Sequence, residues 1–275
     1  MAEAIEFDAG LEEPTLSPER ARHPQCRADQ VGCSEGPEAI DHLADRSGVR
    51  PSLESPALYT STNVVGTTHL LEAARRLDPL PRFVFASSSS VYSDRSDAPF
   101  LETDSVYQPI IPYAASKKAA ELMAYSFHHA FGLPVTGLRF FTAYGPRNRP
   151  DLAIAKFSRL IDQGEPVPMF GDGSSRRDYT FVDNIADGVA RAIDRCDGHR
   201  IYNLGHTEPI ELRAMIEALG KIPTIRRLPE QPGDVWLTCA DLSRASAELG
   251  YAPSTSFRDG LEQFARWYRS TSRLG

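Results

Sequence analysis

Cysteine and positive charge are both scarce in this sequence, and each shortage excludes a class of protein. The 275 residues contain four cysteines, Cys26, Cys33, Cys196 and Cys239, with neither CxxC spacing nor a His/Cys cluster. A disulfide framework and a zinc site are therefore both unsupported. The 30 basic residues are outnumbered by 37 acidic ones, and the net charge of -7 disfavours nucleic acid as a partner, because that binding needs dense positive charge.

Long apolar runs and a basic, apolar leader are also lacking. No apolar run reaches the length of about 20 residues that a membrane-spanning helix needs. The first residues, MAEAIEFDAG, do not have the basic start and apolar centre of a secretory signal. With 41% hydrophobic and 24% charged residues, the composition is that of an ordinary globular protein. We expect a cytoplasmic protein without membrane association and without a metal.

The chain changes character near residue 39. Residues 1–38 are polar and proline-bearing and show neither helical nor strand periodicity, so we expect an irregular segment. From there, short apolar segments such as RFVFASSSS, PVTGLRFFTAYGP and RIYNLG alternate with helical patterns, which is typical of a parallel, doubly wound sheet. We predict an α/β protein with a Rossmann-like domain (39–146 with 176–208) and a smaller C-terminal α/β lobe (147–175 with 209–275).

The helical patterns and the loops between them locate a crevice. Helical periodicity covers residues 63–77, Pro112 to about Phe131, 151–163, 183–194, 211–219, 241–249 and 257–268. The segments GEPVPMFGDGSSRRD and LPEQPGDVW are expected to be loops of the smaller lobe, because proline and glycine mark turns. Ligands of doubly wound sheets bind beyond the carboxyl ends of the strands. The serine run and the TAYGPRNRP loop, which each follow a strand, should therefore face one crevice.

A tyrosine and a lysine stand four residues apart in PYAASKKAAE, Tyr113 and Lys117. Positions i and i+4 share a helix face, so these side chains meet, whereas Lys118 points away. A phenol with an unperturbed pKa of about 10 is a poor base at neutral pH, but an adjacent ammonium lowers that pKa. The pair could act as a general base, or it could be two surface side chains, since such short patterns often occur by accident.

The serine run FASSSSVYS favours the first alternative. It lies at a predicted strand end, about twenty-five residues before Tyr113, where hydroxyls can hydrogen-bond a substrate oxygen. Four serines alone would indicate only a solvated loop. A strand-end serine run followed at this distance by Y-x-x-x-K on the next helix is a much more specific pattern.

With these motifs the chain resembles the extended short-chain dehydrogenase/reductase family, the nucleotide-sugar epimerases and dehydratases. The resemblance runs from about Ile40 to Tyr268 and includes HLADRSGVRPS, FVFASSSSVY, PYAASKKAAE, LRFFTAYGPRNRPDLA, FGDGSSRRDYTFVDNI, IYNLG and QPGDVWLTCAD, in family order. It is strongest to the UDP-glucuronate 4-epimerases. The resemblance implies NAD as cofactor and epimerisation at C4 of a UDP-sugar, UDP-glucuronate to UDP-galacturonate, through a transient 4-keto sugar.

The resemblance also assigns roles to individual residues. Tyr113 would be the base and acid at the sugar 4-hydroxyl, Lys117 would hold the nicotinamide ribose and lower the tyrosine pKa, and Ser88 would share the hydrogen bonds of the 4-oxygen. The implied cofactor-binding residues are Leu43, Ala44, Thr62, Ser88, Tyr113, Lys117 and Phe141. The implied substrate-binding residues are Ser89, Ser90, Thr142, Arg149, Val167, Met169, Arg177, Gln231 and Asp234. Relatives further imply a homodimer through helices 63–77 and 113–131.

The first part of the sequence departs from this family. No G-x-x-G-x-x-G fingerprint follows an initial strand, so the Rossmann-like sheet is expected to be N-terminally incomplete and NAD binding is open. Asp45 and Arg46 stand where relatives have small or apolar residues, and a carboxylate there would repel a pyrophosphate unless Arg46 pairs with it.

Three alternatives therefore stay open. The chain could be an epimerase-family enzyme with weak NAD binding. It could be a truncated or mis-started gene product. It could also be a non-catalytic protein that keeps a nucleotide-sugar-binding or partner-binding surface. A related 4,6-dehydratase or decarboxylase is a further alternative, although Ser89 and Ser90 stand where a dehydratase has Asp and Glu.

Overall fold

Four parallel strands form the central sheet of the protein. They are β1 (Ala39–His42), β2 (Arg82–Ser88), β3 (Val135–Phe140) and β7 (His199–Leu204), in the order β1-β2-β3-β7, and every pairing is parallel. A computed structural model describes residues 36–220, 224–230 and 234–271 of this chain. The predicted irregular segment, residues 1–38, lies almost wholly outside the described residues.

Helices and shorter strands complete the fold. The helices are α1 (Val49–Glu54), α2 (Pro56–Tyr59), α3 (Gly66–Ala74), α4 (Pro112–Phe131), α5 (Ala153–Gln163), α6 (Val182–Asp194), α7 (Leu212–Ala218), α8 (Ser243–Leu249) and α9 (Phe257–Thr271). A π-helical stretch (Thr60–Val65) joins α2 to α3, and a 3-10 turn (Ser89–Tyr92) follows β2. The remaining strands are β4 (Thr142–Tyr144), β5 (Val167–Phe170), β6 (Arg176–Phe181), β8 (Pro209–Glu211) and β9 (Ile225–Leu228).

Helices cover both faces of the central sheet. On one face α3 and α4 pack against Phe83 and Phe85 of β2. On the other face α6 and α8 pack against Val84 of β2 and Leu138 of β3. Successive residues of a strand point to opposite faces, so a strand that is apolar throughout must be covered on both sides. The predicted doubly wound α/β fold is confirmed.

Helix α4 begins and ends where the sequence predicts. Pro112 occupies its first turn, a position that proline favours, and Gly132 follows its last residue with a φ of 72°. That left-handed conformation suits glycine, which has no Cβ to clash. The region predicted as a helix over 63–77 is helical, but it consists of two parts. The π-helical stretch Thr60–Val65 is followed by α3, which ends at Ala74.

Several residues predicted to be loops form strands instead. Thr142–Tyr144, expected in a loop, is β4 and pairs with β6, while GEPVPMFGDGSSRRD contains β5 and the start of β6. Proline and glycine suggested turns, but Val167 and Met169, two residues apart on β5, are both buried in a hydrophobic core, and Pro168 lies between them. Tertiary packing overrides the local turn signal here.

The smaller sheets share a separate core. They have the orders β4-β6-β8 and β5-β9, and the residues that α5, α7 and α9 bury against them include Ile154, Phe157, Met215, Leu261 and Phe264. Helix α8, which falls in the range predicted for the smaller lobe, packs against β7 of the central sheet. The division into two domains stays a prediction.

A buried ion pair fixes α4 to β3. Glu121 and Arg139 each expose 3% of their side chains, and their two hydrogen bonds are both 2.9 Å long. Ser87 donates to Glu121 at 2.7 Å, and Arg139 donates to the Tyr92 hydroxyl at 2.9 Å. Breaking such a pair is costly because the remaining charge stays buried without compensation.

We predict that Glu121→Ala lowers the free energy of unfolding by about 3–5 kcal/mol, because Arg139 then remains buried without its carboxylate. Urea denaturation measures the effect. Asp187→Ala is the matched control: it removes the partner of Arg191 at an exposed pair on α6, where a loss below about 1 kcal/mol is expected. Equal losses in the two variants would contradict the role given to the buried pair.

The same pair predicts a pH dependence. Burial raises the pKa of Glu121, but the hydrogen bonds and charge of Arg139 outweigh it, so the pKa lies below its ordinary value. The unfolded chain takes up the proton first, so this stabilisation is complete above the ordinary glutamate pKa of about 4.3 and is lost as the pH falls through the folded-state pKa. Wild type should therefore lose more stability than Glu121→Ala between pH 6 and the acid limit of folding, as measured by urea denaturation at each pH.

Candidate active site

Strand β2 delivers a serine to the carboxyl end of the central sheet. It ends at Ser88, where the backbone turns into the 3-10 segment. The Ser88 hydroxyl accepts from the Ser90 N–H at 3.2 Å and donates to the Ser90 hydroxyl at 3.1 Å. These bonds fix the turn, so Ser88, Ser89 and Ser90 all lie at the strand end, as the sequence predicts.

The first two turns of α4 bring Tyr113 and Lys117 to the same place. Both residues are buried, and the Lys117 Nζ lies 5.9 Å from the centre of the Tyr113 ring. The ammonium donates to the carbonyl oxygen of Ala86 in β2 at 2.9 Å. The predicted shared face is thus present, and the lysine is anchored two residues before Ser88.

A carboxylate from the residues after β1 completes the cluster. Asp45 Oδ2 lies 2.7 Å from the Lys117 Nζ and 3.5 Å from the Tyr113 hydroxyl. Its side chain is 19% exposed, whereas that of Lys117 is 4% exposed. The sequence suggested Arg46 as a possible partner of Asp45; in the structure the partner is Lys117.

The electrostatics of Tyr113 differ from the expectation. Burial, and then the charge of Asp45, raise the pKa of Tyr113 well above its ordinary value, while the nearby Ser88 hydroxyl and the charge of Arg149 oppose them. The pKa of Tyr113 is thus raised in this arrangement, and the expectation that Lys117 lowers it stays a prediction. Burial lowers the pKa of Lys117 itself, and Asp45 partly restores it.

Asn63 holds the segment that carries Asp45. Its side-chain oxygen accepts from the Arg46 N–H at 2.7 Å, and its amide donates to the Arg46 carbonyl and to the Ser116 hydroxyl, both at 3.0 Å. Ser116 in turn donates to the carbonyl oxygen of Tyr113 at 2.8 Å. Sequence reasoning missed this buried residue; an asparagine among apolar helix positions was the available signal.

The predicted cofactor-binding residues divide into exposed and buried ones. Leu43 and Ala44 follow β1 directly, and they and Thr62 are exposed. Phe141, by contrast, is buried in a cluster with Val91, Tyr92, Phe100, Val106 and Ala240. The nicotinamide half of NAD needs an uncovered apolar surface and a donor for its ribose hydroxyls. Leu43 and Ala44 provide the apolar surface. The Lys117 ammonium has three N–H donors, of which the Ala86 carbonyl and Asp45 use two, so one is left for a ribose hydroxyl. These residues therefore fit the nicotinamide half of the cofactor.

Beside the smaller sheets lies a cleft of about 420 Å³. Its lining includes Arg50, Asp151, Phe170, Arg177, Asp234 and Trp236. This volume is within the range of small-molecule sites, about 300–1,000 Å³. Arg50 Cζ lies 4.4 Å from the centre of the Phe170 ring, and its guanidinium is 3.3 Å from Asp234. Arg177 donates to the Trp236 carbonyl at 3.2 Å. The predicted residues Arg177 and Asp234 are therefore brought together.

Other predicted substrate residues are placed differently. Val167 and Met169 point into the core, whereas Pro168 and Phe170, which sequence reasoning missed, line the cleft. Strand alternation explains the difference. Thr142 is half-buried on β4, and Gln231 lies outside the described residues.

Arg149 connects the cleft to the Tyr113 cluster. It makes a two-pronged ion pair with Asp151, at 3.0 and 2.6 Å, and donates to the Ser47 hydroxyl. Asp151 lines the cleft, while Ser47 belongs to the same segment as Asp45. The two groups of residues therefore adjoin.

Two negative findings apply to the described part of the chain. No helix in it is long and apolar enough to cross a membrane. No group of three or more His, Cys, Asp or Glu side chains within residues 36–220, 224–230 and 234–271 could hold a metal ion.

The fold and these side chains define a class: a Rossmann-like α/β protein of the short-chain dehydrogenase/reductase kind, with serine, tyrosine and lysine at the carboxyl ends of parallel strands. The chain belongs to the NAD dependent epimerase/dehydratase family, whose model matches residues 25–205.

Named relatives extend the comparison. An uncharacterised protein of Methanocaldococcus jannaschii is 41% identical over 235 residues, 84% of this chain and 72% of that protein. UDP-glucuronate 4-epimerase 3 of Arabidopsis thaliana is 41% identical over 250 residues, which cover 83% of this chain but 58% of the plant protein. The chain thus spans little more than half the length of this plant epimerase.

Solved structures agree with the fold. The UDP-glucuronic acid 4-epimerase of Bacillus cereus, in complex with UDP-glucuronic acid and NAD, superposes with a TM-score of 0.80 at 33% identity, covering 85% of this chain and 76% of that one. A dTDP-glucose 4,6-dehydratase of Streptomyces venezuelae with NAD bound gives a TM-score of 0.82 at 31% identity, covering 87% and 76%.

We predict that Asn63→Ala loosens the segment that carries Asp45. The variant removes the side chain that binds both the N–H and the carbonyl of Arg46, and an unpaired buried polar group costs about 1–3 kcal/mol. Urea denaturation should show a loss of that size, and hydrogen exchange should accelerate at residues 45–47. Thr60→Ala, which removes an exposed hydroxyl from the same helical region, should change neither measurement; unchanged exchange in Asn63→Ala would contradict the assignment.

Proposed function

We propose that this chain is a nucleotide-sugar 4-epimerase that uses NAD and converts UDP-glucuronate to UDP-galacturonate. The observation that carries the proposal is the position of Tyr113: the centre of its ring lies 5.9 Å from the Lys117 Nζ, close to the Ser88 hydroxyl at the carboxyl end of β2. That is where a doubly wound sheet binds its ligands. The family and the named relatives support the same reaction class.

The chemistry assigned to the chain's own residues is a proton transfer. Tyr113 takes the proton of the sugar 4-hydroxyl and later returns it, while Ser88 holds the 4-oxygen. Lys117, Leu43, Ala44 and Thr62 would hold NAD, which would supply the acceptor and donor of the hydride at C4. Tyr113 must be ionised to take the proton, so the surroundings that decide its ionisation decide the rate.

The adjoining cleft suits a uridine diphosphate. The guanidinium of Arg177 can bind two phosphate oxygens at once, a geometry that lysine cannot match. Phe170 offers an aromatic face, and Asp234 can accept from a ribose or base donor. Arg149, Ser89 and Ser90 are the residues proposed to meet the C6 carboxylate, which sets the preference for a glucuronate over a glucose.

A second candidate is a nucleotide-sugar-binding protein without NAD-dependent turnover. The observation that favours it is the Asp45–Lys117 ion pair, because the lysine proposed to hold the cofactor already has an anionic partner. A 4,6-dehydratase is less well supported, since Ser89 and Ser90 cannot supply the acid and base of an elimination.

We also propose that the protein is cytoplasmic and forms a homodimer through helices 63–77 and 113–131. Exposed apolar side chains on these helices support the second point, among them Val65, Leu70, Leu122 and Tyr125. Large exposed apolar areas are uncommon on monomers.

We predict that Tyr113→Phe lowers the turnover of UDP-glucuronate by about 10²–10⁴-fold, the usual contribution of a general base. The assay supplies NAD+ and UDP-glucuronate and follows UDP-galacturonate by chromatography. Tyr107→Phe, which changes a tyrosine that is 82% exposed, is the matched control and should leave turnover unchanged.

Calorimetry with UDP-glucuronate separates the candidates. Binding that Arg177→Ala weakens, together with turnover, supports the epimerase. The same binding without turnover at saturating NAD+ supports the second candidate. Turnover retained in Tyr113→Phe would overturn the assignment of the base, and absence of both binding and turnover would overturn both candidates.

A further inference from the structure

We propose that Asp45 is the positioning residue that sets the charge of this site: its carboxylate holds the Lys117 ammonium as an internal ion pair and so keeps Tyr113 a neutral phenol. The inference concerns this chain's own three side chains and rests on the proposed function only in naming NAD as the ligand that competes with Asp45. It assigns a role to a residue that the family resemblance leaves without one.

Geometry carries the proposal. A single oxygen, Asp45 Oδ2, lies 2.7 Å from the Lys117 Nζ and 3.5 Å from the Tyr113 hydroxyl. The lysine side chain is 4% exposed, so water screens this interaction little. The positive charge of the Lys117 ammonium would favour a phenolate at Tyr113. Because the Asp45 carboxylate balances this charge, the ammonium no longer favours the phenolate.

The position of the carboxylate is also fixed. The Arg46 backbone is bound on both sides by the Asn63 side chain, and the Ser47 carbonyl accepts from the Tyr59 hydroxyl at 3.2 Å. Asp45 immediately precedes these two residues. A side chain on so constrained a backbone cannot leave Lys117 without cost, so the ion pair is a built feature of the site.

The other groups around Tyr113 do not have the effect that Asp45 has on the charge of its phenol. Arg149, from the loop after β4, acts in the opposite direction, but Asp151 pairs with it. Ser88 at the end of β2 and Tyr59 of α2 contribute only neutral hydroxyls, and the Tyr59 ring packs edge-on at 6.1 Å. Asp45 is therefore the carboxylate nearest to the phenol among the residues that the structure describes.

A ligand whose hydroxyls bind Lys117 must share the ammonium with Asp45 or displace it. A dinucleotide also brings phosphates, which a nearby carboxylate repels. Removing the charge at residue 45 should therefore make Tyr113 easier to ionise and should tighten binding of NAD+. These effects go together only if Asp45 acts through charge.

Titration of Tyr113 tests the proposal without any ligand. Tyrosine labelled with 13C at Cζ is followed by NMR over the pH range in which circular dichroism shows a folded protein, and each protein is compared with its Tyr113→Phe counterpart to identify the signal. In Asp45→Asn the midpoint should move to lower pH by about one pH unit or more, the effect of one neighbouring charge. Asp45→Glu keeps the charge and should stay near wild type.

Asp41→Asn is the matched control, because it removes a carboxylate from β1 that has no part in the surroundings of Tyr113; its titration should follow wild type. A Tyr113 signal in Asp45→Asn that follows wild type at every pH would overturn the proposal.

Fluorescence titration with NAD+ gives the second readout: at least about threefold tighter binding to Asp45→Asn is expected. Weaker binding to Asp45→Asn would overturn the competition with NAD, whereas failure of turnover in every variant would count against the proposed epimerase alone.

Discussion

Two buried charges of opposite sign lie one turn apart on α4, and the rest of the site depends on how they are paired. Glu121 binds Arg139 and Ser87, while Lys117 binds Asp45 and the Ala86 carbonyl. An unpaired buried charge costs several kcal/mol, so the helix can occupy only the position in which both find their partners. That position places Tyr113 beside the end of β2.

The pairing explains both what the site can do and what restrains it. Parallel strands bring Ser88 and the segment after β1 to one edge, and α4 adds the phenol and the ammonium there. The same parallel order brings Asp45 to Lys117, because β1 lies next to β2. The tyrosine that we propose as the base at a sugar hydroxyl thus has, within 3.5 Å of its own hydroxyl, a carboxylate that the fold itself supplies.

The sequence was sufficient wherever a local pattern settles the structure. Proline and glycine mark the ends of α4, the i, i+4 spacing puts Tyr113 and Lys117 on one face, and the apolar strands predict a sheet covered on both sides. It was insufficient where distant residues decide. The partner of Asp45 lies 72 positions away on another element, and no spacing rule reaches that far. The alternation that turns Val167 and Met169 inward was hidden by prolines that suggested a loop.

The central claim is that Asp45 and Lys117 form an energetically coupled ion pair, and a double-mutant cycle tests it most directly. The free energies of unfolding of wild type, Asp45→Asn, Lys117→Met and the double variant are measured by urea denaturation. The account predicts that the double variant is more stable than the sum of the single losses by at least about 1 kcal/mol, as for residues in direct contact. Losses that add to within about 0.5 kcal/mol, the behaviour of independent sites, would contradict it.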